Sequence, residues 1–136
     1  MAAPNPLSMA ENPASVLVAE DNPAVREFIV RALSSIGHKV TEAIDGQQAL
    51  EALRREKFDV LVTDIVMPNI DGIALAMKAI RLFPDLKIVM ISGYVQERMR
   101  AHTLDALAHK IIAKPFSLEE ICEVVNNALS LPARAL

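Results

Sequence analysis

Five residues carry the chemistry open to this sequence. Glu20 and Asp21 follow an apolar run at 16–19, Asp64 follows one at 59–63, Ser92 one at 87–91, and Lys114 one at 110–113. Each run reads as a buried strand, and each polar group stands at its carboxyl end. Three carboxylates gathered at one edge repel one another, so at least one should resist ionising without compensation. A hard divalent cation answers this: Mg2+ takes oxygen ligands, keeps waters and binds phosphate oxygens. Lys114 adds a second, fixed positive charge, and Ser92 offers a neutral donor. Such an acidic pocket is poorly suited to a nucleotide polyphosphate. It suits attack by one carboxylate oxygen on a phosphoryl group, with cation and lysine stabilising the transferred oxygens. Taken singly, the same residues have structural roles. Glu20-Asp21 complement a helix N-terminus, Asp64 ahead of Met67-Pro68 and Ser92-Gly93 form turns, and Lys114-Pro115 is a solvated lysine before a bend. Their joint placement points to chemistry.

The elements that must position these groups alternate regularly. Strand-like runs fall at 16–19, 38–43, 59–63, 87–91 and 110–113. They are rich in valine and isoleucine, as parallel strands covered on both faces are. Helical patterns lie between them. The first has Asn22 as cap, Pro23 at N1 and Gly37 at C′. Its apolar stripe is Val25, Phe28, Ile29, Ala32, Leu33 and Ile36. The second starts at Asp45, with Gln48 three residues on. The third opens at Asp71-Gly72. The fourth, over 96–105, has the weakest stripe, with Arg98, Arg100 and His102 crowding Met99 and Leu104. The fifth opens on a full S-x-x-E box from Ser117 to Glu120. Five such units predict an α/β fold with one five-stranded parallel sheet, doubly wound. Ligands of such sheets bind beyond the carboxyl ends of the strands, at the switch in strand order. The second strand ends in Ala43-Ile44, which has no reactive group, so it stands aside. The order 2-1-3-4-5 produces that division.

Composition bounds the rest. A chain of 136 residues favours one domain and can bury roughly two-thirds of its surface. Hydrophobic residues at 52% and charged residues at 23% argue against disorder. The net charge of -3 gives no general basic footprint for nucleic acid. The single cysteine, Cys122, excludes a disulfide framework and a Cys-rich zinc site, and reads as a packed or half-exposed thiol. No apolar run approaches the ~18 residues of a membrane helix, and a reducing, cytoplasmic setting is expected. Residues 1–14 read as a flexible tail without a signal peptide, 15–130 as the domain, and 131–136 as a tail too short for a DNA-binding domain. Gly37, Gly46, Gly72 and Gly93 form no phosphate-cradling motif. His38, His102 and His109 lack metal-ligand spacing and are expected to be solvated or capping.

The segments VLVAEDNPAVR, LVTDIVMPNIDG, VMISGY and AKPF resemble the receiver domain of two-component response regulators, the CheY-like family, over about residues 15–130. The resemblance implies a flavodoxin-like (βα)5 sandwich and a phosphoprotein of bacterial signal transduction. Asp64 would be the phosphoacceptor. Mg2+ would be held by Asp21 directly, by Glu20 through water, by Asp64 and by the backbone carbonyl of Val66. Lys114 would contact a phosphoryl oxygen, followed by a cis bond at Pro115. Ser92 would be the switch hydroxyl, and the small Gly93 would leave the acceptor open. One departure stands out. The aromatic switch residue common three positions before the lysine is here Ile111, so a tyrosine rotamer switch cannot operate. Tyr94, the only tyrosine, is expected to take part in output or to shield the phosphoryl group.

The same resemblance implies a phosphohistidine donor on a sensor histidine kinase or a histidine phosphotransfer protein. A downstream partner would read a surface built from the fourth and fifth helical segments and the fifth strand, by population shift. The chain would be no enzyme beyond Mg2+-dependent self-phosphorylation and slow self-dephosphorylation. It would be a monomer or weak homodimer. LVTDIVMPNIDGIALA and PDLKIVMISGY are similar to the CpdR-type single-domain receivers of alphaproteobacteria. Those also lack the aromatic switch, and their unphosphorylated form primes an AAA+ protease. Two other classes compete. A haloacid-dehalogenase-like phosphatase would want an aspartate two residues after the nucleophile, where Val66 stands. A phosphorylation-independent interaction module would keep the fold, but the intact Asp21, Asp64, Ser92 and Lys114 argue against it.

Overall fold

The five apolar runs form strands that pair in parallel. The structure, a computed structural model, describes residues 9–93 and 108–132. The elements are β1 (Ser15–Ala19), α1 (Pro23–Ser35), β2 (Lys39–Ala43), α2 (Gly46–Arg55), β3 (Val60–Asp64), α3 (Gly72–Leu82), β4 (Lys87–Ser92), β5 (Lys110–Ala113) and α4 (Leu118–Ser130). The sheet runs β2-β1-β3-β4-β5, the order read from the sequence. The fourth helical segment at 96–105, Tyr94, Arg98, Arg100 and His102 lie outside the described residues, as do 1–8 and 133–136. Among the described residues no helix is long and apolar enough to cross a membrane.

Strand alternation divides the core between two faces. Val16, Val18, Val60, Val62, Val89 and Ile91 face α1 and α4, where Ile29, Leu33, Ile121 and Val125 are buried against them. Leu17, Ala19 and Leu61 face α2 and α3, against Ala49, Leu50, Leu53 and Leu75. A third group, Ile65, Ile73, Ala76, Ile88 and Met90, takes partly buried Ile111 against it. Each large side chain so buried is worth roughly 1.5–3 kcal/mol. Covering both faces is what keeps the three central strands, β1, β3 and β4, buried almost throughout.

Caps set where the helices begin. Asn22 Oδ1 accepts the N–H groups of Ala24 and Val25. Asp71 accepts that of Ala74. Ser117 and Glu120 form the reciprocal box. Asp45 accepts the Gln48 N–H, but the Gln48 side chain takes the N–H of Ile44, one residue before the cap. Gly37 ends α1 at φ 99°, a left-handed position that favours glycine.

The tail is anchored in its second half. Ala10 N–H donates to Ile36 O, and Lys39 N–H to Ala14 O. Ala14 N–H donates to His38 Nδ1 at 3.0 Å, and His38 Nε2 meets Asn126 Oδ1 at 3.0 Å. His38 is therefore not solvated, being 4% exposed. It joins the tail, β2 and α4, its Nδ1 accepting from the Ala14 N–H and its Nε2 paired with the Asn126 amide oxygen. His109 Nδ1 likewise accepts the Ile88 N–H at the start of β4.

Two strands run one residue further than the apolar runs do. The β3–β4 ladder continues to Asp64 opposite Ile91, and β4–β5 to Ser92 opposite Ala113. Asp64 and Ser92 thus belong to the sheet rather than to loops. Where α3 starts, Gly72 N–H donates to Ile65 O at 2.7 Å. A Cβ on Gly72 would overlap the Asp64 carbonyl oxygen.

Gly72→Ala should therefore cost about 1–3 kcal/mol in urea unfolding, the range of an overpacked core; an unchanged midpoint would contradict the close approach. Cys122 is buried, its Sγ donating to Ala32 O at 3.5 Å. Burial, helped by the Glu119 charge, pushes its thiol above the ordinary range. A thiol reagent should label it at once in denaturant and only slowly in native buffer, and equal rates would sink this view of the core.

Candidate functional site

The carboxyl ends of β1, β3, β4 and β5 converge as the strand order requires. Asp64 closes β3 and is buried, and Glu20, just past β1, is fully buried. Asp21 is exposed beside them. One carboxylate oxygen from each of Glu20, Asp21 and Asp64 lies within 4.8 Å of the others. Lys114 leaves the end of β5, its N–H donating to Ser92 O at 2.9 Å. Its Nζ donates to Asp64 Oδ2 at 2.9 Å and to Glu20 Oε1 at 3.5 Å. The Lys114–Pro115 peptide bond is cis.

The remaining residues singled out in the sequence fall in different places. Ser92 is fully buried at the last position of β4. Val66 lies two residues past Asp64 and is half exposed. Ile111 pairs with Met90 and packs toward Ile65 and Ile73 rather than into the acidic cluster. Gly93 and Lys114 line a largely apolar cavity of about 580 Å3 shared with Val25, Phe28, Pro115 and Phe116. The Phe28 and Phe116 rings lie 6.0 Å apart at 55°, and Phe28 is 39% exposed. Tyr94 lies outside the described residues.

The electrostatics follow from crowding. Burial, then contact with Asp64 and the charges of Asp64 and Asp21, pushes the Glu20 carboxyl up to about 8; Lys114 pulls the other way. Burial alone would lower the Lys114 ammonium, but the bond to Asp64 and the two nearby carboxylates outweigh it and raise it. Glu20 Oε2 is buried with no hydrogen-bond partner among the described residues. Fully ionised, three carboxylates against one ammonium leave two negative charges unbalanced. A partnerless buried carboxylate oxygen and an all-oxygen acidic donor set fit a hard divalent cation such as Mg2+.

Two supporting residues were not singled out in the sequence. Arg26, on the second turn of α1, donates through Nη1 to the Glu20 carbonyl at 2.8 Å and through Nε to Glu42 Oε1 at 3.1 Å. Gly72 lets α3 start against the Asp64 backbone. Only the glycine left a signal: it opens a helix whose cap, Asp71, asks for no glycine after it. Nor does β2 stand wholly aside, since Ala43 O accepts the Glu20 N–H at 3.1 Å.

A carboxyl raised in the folded state holds its proton there after losing it in the unfolded chain. Glu20 thus contributes stability at low pH that is lost as pH rises from its ordinary value, 4.5, to about 8. In EDTA the Tm of the wild type should decline across that interval more steeply than that of Glu20→Gln. Parallel curves would remove Glu20 as the strained group.

The comparisons with known proteins identify the family. The family model for the response regulator receiver domain matches residues 16–126. The response regulator receiver protein CpdR of Brucella abortus is 39% identical over 114 residues, covering 84% of this chain and 95% of its own length. A CheY-like receiver domain protein from Methanospirillum hungatei superposes with a TM-score of 0.80 at 26% identity, over 87% of this chain and 94% of that one. TrrA of Thermotoga maritima, solved in complex with Mg2+-BeF, gives 0.76 at 27% identity, over 84% and 97%. With its 2-1-3-4-5 parallel sheet and a family match across most of its length, the chain belongs to the receiver domains of two-component response regulators.

Proposed function

We propose that this receiver takes a phosphoryl group onto Asp64 from a phosphohistidine and changes partner binding as a result. The observation that carries the reading is Asp64 itself: a buried carboxylate on the last rung of β3, held at 2.9 Å by Lys114 inside the acidic trio. Glu20, Asp21, Asp64 and the Val66 carbonyl would hold Mg2+, to which TrrA's bound ion lends support. When bound, Mg2+ supplies positive charge to the carboxylates and to the phosphoryl oxygens.

The chain's own groups do the rest. An Asp64 oxygen attacks phosphorus and forms a P–O bond. The P–N bond of the donor breaks, and its electron pair stays with the imidazole, which leaves neutral because its ring is protonated. Lys114 turns from Asp64 to a phosphoryl oxygen, where its charge is worth most as negative charge develops. Ser92, buried one strand over, donates its hydroxyl to another. Gly93 adds no side chain to obstruct entry. Ile111 transmits no ring flip, so the change travels through the end of β4 and through Tyr94. Half-exposed Val66 flanks the site and, with Tyr94, keeps water from the acyl phosphate, so hydrolysis is slow.

The apolar cavity beside Lys114, with Phe28 and Phe116 on its wall, gives the donor a place to dock. The donor would be a sensor histidine kinase or a histidine phosphotransfer protein. The resemblance to CpdR extends the reading downstream, to an AAA+ protease engaged by the unphosphorylated form in the cytoplasm. The functional unit would be residues 15–130.

Incubation with Mg2+ and acetyl phosphate, then with a phosphohistidine donor, should add one phosphoryl group by intact mass. Asp64→Ala should gain none, and Lys114→Ala should label at least about a hundredfold more slowly. Failure with both donors would replace this reading with a phosphorylation-independent interaction module. After donor removal, Tyr94→Ala should lose its phosphoryl group faster than wild type; identical decay would take Tyr94 out of the account. Asp64→Asn bait should retain the protease partner that phosphorylated wild type releases, and equal capture by both would refute the downstream assignment.

A further inference from the structure

Glu20 is held on both sides of its Cα, through its carbonyl and through its N–H, by groups outside the carboxylate trio. Its carbonyl accepts Arg26 Nη1 at 2.8 Å. Glu20 N–H donates to Ala43 O of β2 at 3.1 Å. Arg26 is itself held by Glu42, also on β2, through Nε at 3.1 Å. The Arg26 side chain is 16% exposed and that of Glu42 53%. One planar guanidinium thus spans two acceptors, a geometry a lysine cannot reproduce.

Fixing that carbonyl fixes the peptide plane, and with it the positions of the Asp21 N and Cα from which its side chain leaves the backbone. This matters for Asp21 more than for Glu20. Glu20 is fully buried and its Oε1 meets Lys114. Asp21 is exposed. Its carboxylate depends on its backbone to stay within reach of Glu20 and Asp64.

We infer that Arg26 is a positioning residue for the cation site, acting through the Glu20 carbonyl to aim Asp21, with Glu42 of the edge strand as its anchor. This rests on the proposed binding of Mg2+ at Glu20, Asp21 and Asp64. Groups that orient metal ligands typically change metal affinity by about 10–100-fold when removed. The charge of Arg26 goes to Glu42, so its effect is one of orientation.

The test is Mg2+ titration by calorimetry on the full chain, with acetyl phosphate labelling followed as Mg2+ is raised. Arg26→Gln should weaken Mg2+ binding roughly tenfold or more. Its labelling rate should return to that of wild type once Mg2+ is saturating, which mere destabilisation would not allow. Arg26→Lys should recover part of the affinity. Glu42→Gln, a surface change that leaves the core intact, should weaken binding in the same direction by less. Mg2+ affinity within about twofold of wild type in both Arg26→Gln and Glu42→Gln would overturn the inference while leaving the cation site standing. Absence of Mg2+ binding by wild type would overturn both together.

Discussion

The structure depends on a repulsion that it does not relieve. Glu20, Asp21 and Asp64 bring carboxylate oxygens within 4.8 Å of one another, and one lysine faces them. Buried ions cost several kcal/mol each unless well paired. Glu20 answers by holding its proton up to about 8, yet its Oε2 still lacks a partner among the described residues. A fold selected for stability alone would place apolar residues here. The two apolar layers on either side of the sheet must carry this cost, and the central strands β1, β3 and β4 are buried almost without interruption.

The parallel sheet is what makes such crowding reproducible. Asp64 lies opposite Ile91, and Ile65 N–H continues the ladder to Ile91 O. Ser92 lies opposite Ala113, and Lys114 N–H continues that ladder to Ser92 O. Three reactive groups on three neighbouring strands therefore share one hydrogen-bonded edge. Their spacing follows from sheet register, with little left to loop conformation. Gly72 tightens the arrangement further by letting the α3 N-terminus approach the Asp64 backbone.

The fold was legible because its signals are local and repeated. Valine-rich runs mark strands covered on both faces, and Asn22, Asp45, Asp71 and Ser117 each stand where a helix starts. The acidic cluster and Lys114 were legible because strand ends could be counted. Hydrogen bonds that reach across the fold were not. His38 reads as a surface histidine until Ala14 and Asn126, 24 and 88 residues away in sequence, are placed on its two nitrogens. Arg26 reads as one more charge on an amphipathic helix. Nothing in its neighbours says that its guanidinium turns back to Glu20 and across to Glu42. The apolar run at 59–63 sets Asp64 at the end of β3, and the ladder carries Asp64 as its last rung.

The edge strand shows why reactive residues alone do not define a site. β2 contributes no side chain to the acidic cluster, and its sequence, KVTEA, looks like a half-exposed border. Yet Ala43 O holds the Glu20 N–H, and Glu42 holds the arginine that holds the Glu20 carbonyl. A strand at the border is paired on one side only, as β5 is at the other edge. Anchoring Glu20 there links β2 to the carboxylates by two routes, the Ala43 O–Glu20 N–H bond and the relay from Glu42 through Arg26 to the Glu20 carbonyl. The opposite end of the cluster is tied to β4 and β5 through Ser92 and Lys114. The acidic pocket is therefore strung across the whole width of the sheet, and its geometry reports on both edges at once.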